Sequence, residues 1–110
     1  MSEVIERIES LISQNKVLVF MKGTRHFPQC GFSAATVQVF EELGAPYETV
    51  DVLSDPELRD AIKRHSNWPT IPQVYINGKF VGGCDIVREL HESGELSSMV
   101  QAALAQDASR

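Results

Sequence analysis

Cys30 stands in the run Pro28-Gln29-Cys30-Gly31-Phe32-Ser33, between a short apolar stretch and a segment with helical spacing. A sulfur at the entry of a helix lies at its positive end, where unpaired amide donors favour the thiolate. The thiolate is both the nucleophile and the metal ligand, so nucleophilic or metal chemistry is expected here. Lys22, on the near side of the same loop, adds a second positive influence. A lone cysteine is otherwise most often a small buried hydrophobe; helix entry, Gly31 and Lys22 together favour a poised thiol. Ser33 occupies the place of the second sulfur in a Cys-x-x-Cys site. Such a pair resolves its own mixed disulfide, whereas Cys30 needs an outside thiol, a partner protein or a metal.

The other cysteine, Cys84, lies in Gly82-Gly83-Cys84-Asp85. Three roles stay open for its sulfur: a structural thiol, a disulfide partner for Cys30 under oxidation, or an additional ligand. A backbone role with an incidental thiol is favoured. His26 precedes Cys30 by four positions, but two ligands do not make a zinc site. It reads as a loop histidine, and His65 and His91 receive no role.

The elements that position these residues follow from periodicity. Val4, Ile5, Ile8, Leu11 and Ile12 recur at helical spacing. Val17 to Met21 is continuous and β-branched, which suits a strand buried on both faces. Residues 22 to 30 form a loop, and Phe32, Ala35, Val39, Phe40 and Leu43 suit a helix from Gly31 to Leu43 that stops at Gly44. Tyr47 to Val52 is the next strand, parallel to the first if both share a sheet. Ser54-Asp55-Pro56-Glu57 carries a capping box and an early proline for a helix ending near Ser66, with Leu58, Ala61 and Ile62 inward. Asn77-Gly78 between Gln73–Ile76 and Lys79–Gly82 predicts a type I′ hairpin. Two helices follow, one capped near Asp85, the other carrying Leu96, Met99, Val100, Ala103 and Leu104 on one face. The expected fold class is α/β, a four-stranded mixed sheet flanked by about five helices, similar to the thioredoxin fold.

The totals bound the function. A chain of 110 residues, 43% hydrophobic and 23% charged, is expected to form one domain over residues 1–110. A net charge of −5 disfavours a general nucleic-acid binder. The apolar run Val17–Met21 is too short to span a bilayer, and the N-terminus lacks the pattern of a signal peptide. Two cysteines are too few for a secreted disulfide framework, so a cytoplasmic or similarly reducing compartment is expected.

Met21-Lys22-Gly23-Thr24, Pro28-Gln29-Cys30-Gly31-Phe32-Ser33, Trp68-Pro69-Thr70-Ile71-Pro72 and Gly82-Gly83-Cys84-Asp85, in that order and spacing, resemble the monothiol glutaredoxins of the CGFS class. The resemblance spans nearly the whole chain. It implies a thioredoxin-like fold, glutathione binding, and a [2Fe-2S] cluster bridged across a homodimer with Cys30 as both the reactive thiol and the metal ligand. It further implies that Lys22 and Arg59 meet the glycyl carboxylate of glutathione, each having the right charge. The helix start at Cys84 and Asp85 would take the γ-glutamyl carboxylate while Asp85 pairs with the ammonium, or Asp85 serves as N-cap, or both. Ile71 would offer its backbone to the ligand's cysteinyl unit as an added strand does; the family's proline matching Pro72 is cis. On the residues alone, an ordinary turn with Trp68 as a core plug is an equal reading of that segment. Arg25 stands where many members carry proline, which implies a looser, more basic loop.

A [2Fe-2S] cluster normally takes four thiolates and one chain presents a single poised one, so two Cys30 and two glutathione thiols complete the set. That favours a carrier or scaffold of clusters, serving iron-sulfur acceptor or regulatory proteins. The alternative is a weak glutathione-dependent disulfide oxidoreductase, in which Cys30 attacks a glutathione mixed disulfide and a second glutathione releases it. An adaptor that shares the cluster with another protein is a third reading.

Overall fold

The computed structural model describes residues 2–108. Its order is α1 (Ser2–Gln14), β1 (Val17–Met21), α2 (Gly31–Leu43), β2 (Glu48–Asp51), a 3-10 turn (Val52–Ser54), α3 (Pro56–Ser66), β3 (Gln73–Ile76), β4 (Lys79–Gly82), α4 (Cys84–Ser93) and α5 (Glu95–Ala108). The sheet runs β2-β1-β3-β4, with β1 parallel to β2 and antiparallel to β3. The expected α/β, thioredoxin-like arrangement of a four-stranded mixed sheet and five α-helices is therefore what the chain adopts. No helix among the described residues is long and apolar enough to cross a membrane.

Strand β1 is buried along its whole length, and its alternating side chains feed two cores. Val17, Val19 and Met21 join Val37, Phe40, Val87, Leu96 and Val100 on the face covered by α2, α4 and α5. Leu18 and Phe20 join Ile8, Leu58, Ile62 and Tyr75 on the face covered by α1 and α3. Burial on both sides is why the strand carries no polar residue. The hairpin turn has φ of 53° at Asn77 and 80° at Gly78, the left-handed pair that a two-residue turn of this hand requires.

Four local expectations are corrected. Ile5 is exposed, one step outside the Val4–Ile8–Ile12 stripe that packs inward. Phe32, in the first turn of α2, is 62% exposed, while Ser33, Thr36, Val37, Val39 and Phe40 form the buried face. The cap of α3 is Asp55, not Ser54. A residue before proline is pushed to extended backbone, and Asp55, at φ −148° and ψ 90°, precedes Pro56 at the first helical position. Its carboxylate accepts from Leu58 N at 3.1 Å, while Ser54 Oγ donates to Asp51 O at 2.8 Å and closes the 3-10 turn. The cap of α4 is Gly83, which leaves Asp85 in the helix's first turn.

Candidate functional site

The loop from β1 to α2 is pinned at its neck. Gln29 N donates to Lys22 O at 2.9 Å, and Gly23 pairs with Pro28. The Asp51 carboxylate, at the end of β2, accepts from Gly23 N at 2.9 Å. Ser33 Oγ, fully buried, accepts from Lys22 N at 3.1 Å and so ties the strand exit to the first turn of α2. The tip is held as well: Arg25 donates to Tyr47 O, and its guanidinium carbon lies 4.2 Å from the centre of the Tyr47 ring. Tyr47 in turn stacks on Phe40 and donates to Glu41. Desolvation first, then the Glu41 carboxylate, pushes the Tyr47 phenol up to about 12, so it remains a donor at any physiological pH. Arg25, the basic residue of this loop, is thus tied to Tyr47 both by a hydrogen bond and by its ring.

Gly23 has no alternative in this neck. Its φ is +89°, and a Cβ would sit 2.5 Å from Phe27 O and 2.6 Å from Gln29 N, both backbone atoms. Gly23→Ala is expected to cost about 1–3 kcal/mol of stability, read by urea denaturation, because a left-handed alanine and an opened neck both add strain.

Cys30 is the N-cap of α2, half-buried, with a free thiol that closes no cap hydrogen bond. The helix's first amides therefore remain open for the charge of a thiolate. They hold the thiol below its ordinary range: the Ser33 backbone amide contributes most, burial opposes it, and the Phe32 amide, the Lys22 charge and the Ser33 hydroxyl add to the lowering. A thiol lowered in this way is ionised from a lower pH upward, so the rate of iodoacetamide alkylation should level off at a lower pH than for free cysteine. Lys22→Gln should move that midpoint up only in small part, since the Ser33 amide outranks the lysine.

Beside the sulfur opens a cavity of about 560 Å³, within the range of small-molecule sites. Lys22, Cys30 and Phe32 form one side, residues 68–72 the back, and residues 83–86 the far end. Of the residues singled out in the sequence, Lys22, Cys30, Ile71, Cys84 and Asp85 all border it. Arg59 does not; Lys63, one helical turn further along α3, does. Cys84 is buried and, like Cys30, a free thiol. The peptide bond from Ile71 to Pro72 is cis, as the resemblance implied.

Two positioning residues were not visible in the sequence. Gln73, fully buried at the start of β3, donates to Trp68 O at 3.1 Å and Thr70 O at 3.3 Å, which fixes the back wall. Gly83 lets that wall close on the far end, since a Cβ there would lie 3.2 Å from Pro72 O and 3.4 Å from Trp68 Nε1. A glutamine opening an otherwise apolar strand was the one available signal for the first; the second stood in the Gly82-Gly83-Cys84-Asp85 motif, but its close packing against Pro72 and Trp68 was not readable there. Trp68 Nε1 is buried without a partner. No group of three or more His, Cys, Asp or Glu among the described residues is placed to hold a metal ion.

Comparison with known proteins agrees with this geometry. The glutaredoxin family model matches residues 17–81. An uncharacterised monothiol glutaredoxin from Synechocystis is 59% identical over 103 residues, covering 94% of this chain and 96% of the relative. Among solved structures, reduced apo GrxS14 from poplar superposes with a TM-score of 0.81 at 46% identity, over 93% of this chain and 94% of that one. A buckwheat glutaredoxin solved as its glutathione complex superposes with a TM-score of 0.83 at 28% identity, over 93% and 91% of the two chains.

Proposed function

From the premise that this chain belongs to the CGFS-class monothiol glutaredoxins of the thioredoxin superfamily, we propose that it binds glutathione beside Cys30 and carries a [2Fe-2S] cluster as exchangeable cargo between two copies of itself. The observation that carries this reading is the cavity in which one poised thiol meets cations, a free helix start and an acidic group. Glutathione offers two carboxylates, one ammonium and a thiol. Lys22, in the loop after β1, matches its glycyl carboxylate; Arg59, on α3, has the matching charge but does not border the cavity. The amides of Cys84 and Asp85 match the γ-glutamyl carboxylate, the Asp85 side chain matches the ammonium, and the Ile71 backbone matches the cysteinyl unit.

One chain supplies a single accessible thiolate, and no cluster of protein ligands completes a metal set among the described residues. Two Cys30 and two glutathione thiols make up the four that such a cluster takes. Two aromatic side chains, Phe27 at 74% and Phe32 at 62% exposure, lie in sequence on either side of Cys30, and exposed apolar groups of this size suit a face covered by another chain. Small exchangeable ligands make the cargo transferable, so iron-sulfur acceptor or regulatory proteins are the partners, and the reducing cytoplasm is the compartment in which the thiols persist. Without a second sulfur at Ser33, turnover of glutathione mixed disulfides is the weaker, secondary activity.

Anaerobic reconstitution with iron, sulfide and glutathione separates the two readings. A brown dimer with slow turnover of a small glutathione mixed disulfide supports the carrier; a colourless monomer with fast turnover supports the oxidoreductase instead.

A further inference from the structure

We propose that Gln73 is a positioning residue for the ligand of this cavity: its buried side-chain amide, without touching the ligand, holds the peptide plane that aims the Ile71 N–H at it. The inference rests on the glutathione reading, in which the Ile71 backbone meets the cysteinyl unit. Gln73 is fully buried and does not border the cavity. Its place is set by the central strand, since β3 pairs with β1 and Gln73 lies opposite Phe20. From there its Nε2 donates to Trp68 O at 3.1 Å and to Thr70 O at 3.3 Å, while Oε1 accepts from the Tyr75 hydroxyl at 3.4 Å. The two carbonyls can only accept, so the NH2 end of the amide must face them and one orientation is left.

The back wall needs such a brace. Pro69 and Pro72 have no N–H to donate, and the Trp68 N–H is spent on Lys63 O at 3.1 Å. The peptide joining Thr70 to Ile71 is planar and trans, so its N–H points opposite to its C=O. Holding Thr70 O against the buried glutamine therefore turns the Ile71 N–H away from the core, to the side on which an added strand would pair. Thr70 and Ile71 both border the cavity, so the direction of that one peptide is a property of the site. An apolar side chain in place of Gln73 would leave both carbonyls without their donor and the peptide free to turn.

Trp68, the only tryptophan, borders the cavity, so its emission reports both the wall and its occupant. The intact protein, Gln73→Met and Gln73→Glu are titrated with S-methylglutathione at about pH 5.5 and about pH 8, on either side of the range to which burial raises a glutamate. Gln73→Met keeps the length and loses the donors. It should bind about five- to tenfold more weakly than the native protein at both pH values, the range for a lost buried hydrogen bond, and its unliganded Trp68 emission should shift. Gln73→Glu keeps the acceptor for Tyr75 and donates to a carbonyl only when protonated, so its affinity relative to native should fall about threefold or more from the lower to the higher pH. The pH at which Cys30 alkylation levels off should stay native in both variants, since the Ser33 and Phe32 amides that lower the thiol belong to α2 and not to the back wall. A glutamine that only stabilises the fold would lower the unfolding temperature and leave affinity and its pH dependence native. Binding within about twofold of native in folded Gln73→Met, or a Gln73→Glu affinity whose ratio to native is the same at both pH values, overturns the proposal and leaves the glutathione reading standing. Should Gln73→Met not fold, the pH ratio in Gln73→Glu decides alone. Failure of the native protein to bind S-methylglutathione overturns both.

Discussion

Cys30→Ala is expected to yield a folded, colourless monomer that neither takes up the cluster nor turns over glutathione mixed disulfides. Cys30 is half-buried and closes no cap hydrogen bond, so alanine removes little that stabilises the fold. What it removes is the sulfur on which both readings depend. Turnover should fall by about two orders of magnitude or more, as for loss of a nucleophile elsewhere. Visible absorption and native mass after anaerobic reconstitution read the first loss, and a glutathione mixed-disulfide assay reads the second. Thermal unfolding close to that of the native protein assigns both to chemistry rather than to folding. A brown dimer from Cys30→Ala would remove Cys30 from the ligand set.

Phe20→Ala is expected to have the largest effect on stability, about 3–5 kcal/mol. Phe20 is fully buried in the central strand and meets Tyr75 edge-on with ring centres 5.7 Å apart. Tyr75 packs on Phe80, and Phe80 on Trp68, so the chain of rings runs from the core to the back of the cavity. Burial holds the Tyr75 phenol up at about 12, and Gln73, which fixes that same back wall, accepts from its hydroxyl at 3.4 Å. Small domains have total stabilities of only about 5–15 kcal/mol, so the variant should unfold at far lower urea and lose cavity geometry before global unfolding. Phe20→Leu, which keeps most of the volume, should recover the greater part. A denaturation midpoint unchanged in Phe20→Ala would contradict the packing described.

Features whose cause is local were legible in the residues. Asn77-Gly78 demands positive φ at two adjacent positions, and Gly44 closes α2 in the left-handed region because helices commonly end that way. The apolar run of β1 could be buried only on both faces. Features set by the rotation of one element against another were not legible. Phe32 fits a helical stripe by spacing, yet it is exposed and borders the cavity. Arg59 and Lys63 are equivalent by charge and helical phase. Only the reversal at Asn67, which brings the end of α3 against residues 68–72, sets them apart. Ser54 satisfies the capping pattern, but Pro56 forces the extended cap residue to be Asp55. Arg25 gave a charge without a partner in sequence, and its partner, Tyr47, lies across the loop.

The cluster-bridged dimer with borrowed thiols is tested most directly by counting glutathione against iron in the protein reconstituted without oxygen and stripped of free ligand by gel filtration. One glutathione and one iron per chain, both lost together when the cluster is chelated, is the predicted result. An iron-loaded dimer that retains no glutathione would contradict it.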